Sequence, residues 1–277
     1  IEQISPDVIG WVLVCYSIGF VLGTLYVQKI IARVGHIRAF AVFAAMAAVV
    51  ALMYPMAVSA LFWGVLRVLS GFSIAGVLVV IESWFSSRAT SANRGALFAV
   101  YQIVFYLSAA GGQLFVNVGD PANFLPFSLA AILLTLALVP LALTRMEAPV
   151  IEQAHRMSVF KLARQSFSGM AGALISGVMI GGFYALGPVY ATLVGLDVTR
   201  TSTFMASAIV AAMLLAWPLG RVCDRFDRRR VMFWVSLSAA SAAIGVAVFG
   251  ATQLALLTVL VGLFTGLSAT LYPIAVA

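Results

Sequence analysis

Few side chains in this sequence can do chemistry in an apolar setting, and Arg67 is the clearest of them. It lies within the apolar run 58–85, where a guanidinium costs about 2.5–3.5 kcal/mol on insertion scales and therefore faces a cavity or a partner. Two readings follow. Either Arg67 acts electrostatically on a substrate or a proton relay, or it is a structural arginine bonded to carbonyls at a helix end. It stands roughly nine residues from one end of its run, deep enough to snorkel only partway. Arg67, Gly71, Ile74, Leu78 and Glu82 fall at i, i+4, i+7, i+11 and i+15, so they share one helical stripe. Glu82 lies about 22 Å along the axis from Arg67 at about 1.5 Å per residue, too far to pair with it. Its expected partner is Arg33 or Arg38 in a neighbouring loop; the alternative role is a proton carrier. Catalytic and metal motifs are missing: there is no HExxH, CxxC, GxSxG or Gly-Lys-Ser/Thr phosphate loop. His36 and His155 fall in polar connections. Cys15 lies in an apolar run and Cys223 beside a charge cluster, so neither a disulfide nor a structural metal is expected, and no cofactor is implied.

The elements that hold these residues follow from composition. The 277 residues are 63% hydrophobic and 9% charged, with a mean hydropathy of +1.10. Soluble domains carry about 25% charged residues, so a water-facing globule is excluded. A β-barrel is excluded too, because its strands alternate apolar and polar residues and the runs here are continuous. The chain reads as an all-α polytopic membrane protein. Cutting at charges, prolines and polar clusters gives nine spans, at about 8–32, 39–55, 58–85, 94–117, 122–144, 164–193, 200–221, 231–250 and 253–277. The stretch 145–163 is polar and mixed in charge and reads as a linker. It separates a bundle at 1–144 from another at 164–277. The sequence begins at Ile1 with no basic n-region, so no signal peptide is expected and the sequence reads as a fragment.

Orientation comes from the basic residues. Lys29, Arg33, Arg38, Arg88, Arg94, Arg145, Arg156, Lys161, Arg164, Arg221, Arg225, Arg228, Arg229 and Arg230 all fall on one side of these spans, and Arg200 alone on the other. The basic side is expected to be cytoplasmic, with the 145–163 linker there and Ile1 outside. The net charge of +7 is then retention charge at the inner leaflet and argues against nucleic acid as a partner.

Two connections repeat. Ala32-Arg33-Val34-Gly35-His36-Ile37-Arg38 aligns with Asp224-Arg225-Phe226-Asp227-Arg228-Arg229-Arg230 at an offset of 192, and both follow a span running toward the basic side. A parallel repeat of that length marks a two-bundle transporter. Gly220-x3-Asp224-Arg225-x-Asp227-Arg228-Arg229-Arg230 resembles the cytoplasmic loop signature of the major facilitator superfamily, with Asp227 where that family has Gly. The first copy keeps Arg33, Gly35 and Arg38 but has Gln28 and Ala32 in place of the leading Gly and the Asp. Arg67-x3-Gly71 is a second resemblance. Glu82-Ser83-Trp84 and Trp217-Pro218-Leu219-Gly220 are similar to the YcaD-like bacterial branch.

The resemblance covers the whole chain and implies a twelve-helix fold of two six-helix bundles, with the nine spans as family helices 2–10 and helices 1, 11 and 12 outside the sequence. It implies a secondary active transporter of a small molecule in a bacterial inner membrane. That protein works as a monomer by alternating access, with H+ as a candidate coupling ion. The family helix 7 lines a central cavity, which makes Tyr184 and Tyr190 candidate substrate contacts; the alternative is that they are core or interfacial aromatics. In the second loop, Asp224 is suited to accept from the N–H groups at the N-terminus of a facing helix near Asn93-Arg94-Gly95, closing the cytoplasmic side. Ala32 cannot do this in the first loop. Gly19-x3-Gly23, the series Gly169, Ala173, Gly177, Gly181, Ala185, and the series Ala208, Ala212, Ala216, Gly220 are expected to be helix contacts. Two other classes stay open: a non-transporting sensor or scaffold on a transporter fold and, less in keeping with spans that hold no His and no Ser–Lys arrangement, a membrane-embedded enzyme.

Overall fold

Long apolar segments in lipid must satisfy every backbone N–H and C=O internally, which leaves the helix as the available form for continuous runs. The computed structural model describes residues 6–90, 94–119, 123–143, 167–249 and 254–276, and these are helical with no strand among them. In chain order the helices are α1 (Pro6–Val34), α2 (His36–Met53), α3 (Ala60–Arg88), α4 (Arg94–Leu114), α5 (Leu125–Leu136), α6 (Leu138–Leu143), α7 (Phe167–Leu193), α8 (Val198–Arg225), α9 (Arg228–Phe249) and α10 (Leu254–Val276). Short 3-10 turns, Tyr54–Met56 and Phe115–Val118, follow α2 and α4. Seven runs among the described residues are long and apolar enough to cross a bilayer: Val8–Val34, His36–Met56, Ala60–Ser87, Leu125–Leu143, Gly169–Leu193, Val198–Cys223 and Arg229–Phe249. The protein is a multi-pass membrane protein. Helices stand at all nine expected positions, with α5 and α6 sharing one span and α4 and α10 outside the set of seven. The 145–163 linker, His155 included, lies outside the described residues.

The repeat in the sequence is also a repeat of helix boundaries. α8 and α9 begin 192 residues after α1 and α2 (Val198 after Pro6, Arg228 after His36), and α10 begins at Leu254 against Ala60 for α3. The chain packs as two compact units, one of Ile1–Phe98 with Val118–Ala154 and the other of Ala99–Asn117 with His155–Ala277. α4 therefore packs largely with the second unit, through Ala110 against Ala206 and Ile209.

In the first unit α1 and α3 cross at glycine. Gly19 lies against the Val68 backbone, Gly23 against Ala75 and Phe72, and Gly71 against the carbonyl of Tyr16, so a β-carbon at Gly19 or Gly71 would run into backbone. Gly19 and Gly23 are thus the helix contact their spacing predicts, with Gly71 as the answering surface. Beyond the crossing, Val27, Ile31, Ala39, Phe40, Phe43, Ala44 and Val80 form the core, with Leu138 and Leu141 of α6 packed on it. In the second unit α10 presents Gly262 and Gly266 to Ala211, Ala212 and Leu215 of α8, and Ala208 and Ala212 are buried as expected. The α7 series differs. Gly177 and Gly181 have nothing within contact distance of a β-carbon; the buried register is Gly172, Ser176, Phe183, Gly187 and Ala191. In a helix apolar on every side, small size alone does not choose the packed face.

The two repeated loops turn by different means. Gly35 is the whole connection between α1 and α2, at φ 82 and ψ 166, a conformation essentially restricted to glycine. At the matching position Asp227 carries no positive φ. Its carboxylate instead accepts the N–H groups of Arg229 and Arg230, both at 3.1 Å, capping α9. That accounts for the acid where the loop signature has glycine.

Candidate functional site

Each candidate residue of the first unit is placed by a helix end or crossing. Arg67 is half-buried on α3, one turn before Gly71, where the glycine crossing brings α1 close. Its guanidinium lies 5.8 Å from the ring centroid of Tyr54, within the range of a cation–π contact. Its charge also acts on the hydroxyl of Tyr16 on α1 as well as on that of Tyr54. Tyr54 is held from three sides: its ring stacks on Phe127 of α5 at 6.2 Å, its carbonyl accepts the Trp63 indole N–H at 3.2 Å, and Ser70 lies alongside its hydroxyl. That hydroxyl is nevertheless buried with no hydrogen-bond partner. Among the described residues no carboxylate forms an ion pair with Arg67. Tyr16 and Tyr54 were not singled out by sequence. The available signal was slight: Tyr54 comes just before Pro55 at the end of a span, where an amphipathic ring is ordinary.

Glu82 is exposed near the far end of α3, and the structure does not bring it together with Arg67. The turn it occupies abuts the first basic loop, because Ser83 next to it meets His36 Nε2 at 3.0 Å. Arg33 at the end of α1 and Arg38 at the start of α2 are exposed there. His36 corrects its reading as a residue of a polar connection. It opens α2 at 2% exposure, with Trp84 at 6.4 Å between ring centroids and Nδ1 without a partner. The paired signal was Ser83-Trp84, one hydroxyl and one indole just past Glu82.

In the second unit the two tyrosines part ways. Tyr184 is 40% exposed on α7, edge-on to Phe183 at 5.6 Å and close enough to Tyr106 of α4 for the two hydroxyls to interact. Tyr190 is half-buried, packed on the cluster of Phe183, Ala191, Phe204 and Met205, and lines an apolar cavity of about 340 Å³ with Met179 and Phe264. Of the pair, only Tyr184 offers an open face, next to the uncovered Gly177 and Gly181. In the second basic loop Arg225, Arg229 and Arg230 are exposed, and Arg221 stacks over Trp217 at 3.7 Å. The side chains of Asp224 and Arg228 lie outside the described residues, as does Asn93, so the contact expected of Asp224 falls there too; Gly220 lies within α8.

A family model described as the Major Facilitator Superfamily matches residues 2–277. Among curated proteins the chain is 31% identical over 228 residues to the "Uncharacterized MFS-type transporter YcaD" of Salmonella newport, covering 81% of this chain and 59% of that protein. The YcaD of Salmonella typhi matches to the same extent. The chain thus spans about three fifths of the length of these relatives. Among solved structures it is similar to a D-xylose–proton symporter, with a TM-score of 0.66 at 13% identity, covering 98% of this chain and 72% of that one. It is also similar to a bacterial homologue of the human lysosomal transporter Spinster in an inward-facing, occupied conformation, with a TM-score of 0.65 at 13% identity, covering 97% and 73%. At such identities these likenesses show the fold.

Proposed function

Since the chain belongs to the Major Facilitator Superfamily, we propose that it acts as a secondary active transporter in a bacterial inner membrane. It moves a small molecule by alternating access of two repeated bundles, 1–144 and 164–277, joined by a cytoplasmic linker at 145–163. H+ is the candidate coupling ion. The observation that carries this reading is the duplication of helix boundaries at 192 residues, with a basic loop at the same junction of each copy. Parallel repeats of this kind are how such proteins build two halves that rock about a midplane site.

In this reading Arg67 and Tyr184 contribute to the substrate path, one from each repeat. Tyr190 backs Tyr184 from the core. Glu82 pairs with the first basic loop through Arg33 or Arg38. The second loop, with Gly220, Asp224, Arg225, Arg228, Arg229 and Arg230, gates the cytoplasmic side, and the protein functions as a monomer. Reconstitution in proteoliposomes with uptake and counterflow measurements is the test, with an imposed proton gradient as the coupling arm. Saturable flux is expected. Ligands that raise the melting temperature without any flux would assign the protein instead to a sensor on a transporter fold.

A further inference from the structure

The second unit departs from the first at one matched place. Between α8 and α9, at the end that carries the basic loop, lies an open groove of about 480 Å³. Leu219, Val222 and Phe226 line it from α8, and Arg230, Trp234 and Ser238 from α9. Its floor is the buried pair Val231 and Val235. The offset of 192 puts Val235 on Phe43 and Ser238 on Met46. In the first repeat the Phe43 ring fills that position, 1% exposed and edge-on to Phe72. A valine and a serine leave the space open. The rim changes the other way: Phe226 and Trp234, 64% and 62% exposed, stand where the first repeat has Val34 and Val42. Val34, Arg38 and Val42 are themselves exposed although α5 and α6 pack on α2, so this face points outward in both repeats.

Position sets the polarity of a ligand here. The apolar spans end at Cys223 on α8 and resume at Arg229 on α9. Phe226 and Arg230 therefore lie at the membrane–water boundary, and the groove runs from there into the apolar layer. Residues 221–230 hold five arginines and two aspartates, so this end is cationic even with both acids paired. Asp227 caps α9 and Arg221 lies over Trp217, whereas Arg230 lines the groove itself. Phosphate oxygens accept the forked N–H groups of arginine, basic residues at a membrane surface draw anionic lipids, and aromatic rings settle at the headgroup level. We propose that this groove binds an anionic phospholipid, its phosphate on Arg230 and one acyl chain lying over Val231 and Val235 between Phe226 and Trp234. The site goes beyond the transport reading and does not depend on it.

The experiment places the chain in phosphatidylcholine nanodiscs holding a small fraction of lipid brominated on its acyl chains, either phosphatidylglycerol or phosphatidylcholine. Quenching of tryptophan emission is read against that fraction. Brominated phosphatidylglycerol is expected to quench more strongly and to saturate, and Trp234→Phe to remove that excess. Arg230→Gln should weaken phosphatidylglycerol about tenfold, while Arg229→Gln, next to it but outside the groove, leaves the affinity nearly unchanged. Val235→Phe restores the ring of the first repeat and should abolish the excess at unchanged charge. Ser238→Met, at an exposed position, narrows the groove in the same way and decides the matter if Val235→Phe does not fold. The proposal is overturned if the two brominated lipids quench alike or if Trp234→Phe keeps the excess. It is equally overturned if Arg229→Gln weakens binding as much as Arg230→Gln, the mark of diffuse attraction to a basic surface, or if folded Ser238→Met binds as the wild type does. Displacement of the brominated lipid by glycerol phosphate would also overturn it, as the result expected of a free-anion site without a chain.

Discussion

Replacing Gly71 by alanine adds one methyl group, and the geometry of the α1–α3 crossing sets what that costs. The new β-carbon would lie 2.8 Å from the backbone nitrogen of Phe20 and 3.0 Å from the carbonyl carbon of Tyr16, with the carbonyl oxygen closer still. These neighbours are backbone atoms, so no rotamer change relieves the clash, and the helices must part. Overpacking of this kind costs about 1–3 kcal/mol, and a gap of about 0.5–1 Å elsewhere along the seam forfeits a quarter to a half of each contact's attraction. Gly64 is the internal control. It lies on the same helix, two turns earlier, but a β-carbon there would find only the Cys15 Sγ at 3.6 Å, an ordinary contact. Alanine at 64 should therefore be neutral or stabilising by up to about 1 kcal/mol from helix propensity. At roughly 2–4 °C per kcal/mol for a chain of this size, thermal melts in detergent should place Gly71→Ala about 2–12 °C below the wild type and Gly64→Ala at or above it. A Gly71→Ala melting temperature equal to that of Gly64→Ala would refute the close crossing, and with it the placement of Tyr16 beside Arg67.

The remaining expectations concern the loops. Gly35→Ala forces a β-carbon into a conformation that costs about 1–3 kcal/mol, whereas Asp227→Ala removes only a side-chain cap worth about 1 kcal/mol; paired melts should rank them in that order. Ser83→Ala leaves the His36 ring with neither nitrogen paired and should destabilise by about 1–3 kcal/mol. In His36→Phe the same serine change should cost little, so a double-mutant cycle by thermal unfolding should return a clear coupling. Asp224→Asn is expected to shift the population toward the inward-open state and raise the reactivity of cysteine probes on the cytoplasmic side. Unchanged reactivity counts against the gating role. Tyr184→Phe should weaken substrate binding with little effect on melting, while Tyr190→Ala should lower the melting temperature by opening the Phe183–Phe204 cluster.

What the sequence revealed follows from contrast. An arginine in an apolar run, a glycine pair four residues apart in α1 and a loop repeated at 192 residues each stand out against their background, and each has its structural counterpart. The faces of the helices did not stand out, because lipid and protein interior are equally apolar and leave no hydrophobic periodicity to read. Hence Gly177 and Gly181 looked like a contact and are open, while Gly262 and Gly266, at the same spacing in α10, form one and went unremarked. The partners of Arg67 were hidden for another reason. Tyr16 and Tyr54 reach it through a helix crossing and a turn, and an aromatic near the end of a span is too common to signal a site. His36 was misplaced because a polar residue between two apolar runs reads as solvated, although Ser83 supplies it with a buried partner.

The unlike turns at Gly35 and Asp227 give the two repeats unequal freedom to drift. Position 35 is held by backbone geometry alone, so hardly any replacement can stand in for an absent side chain. Position 227 works through an acceptor oxygen, and serine, threonine or asparagine would each do its job. Mutational scanning should accordingly find one joint nearly immutable and its twin permissive, which makes the second loop the one whose sequence can be varied without first breaking the fold.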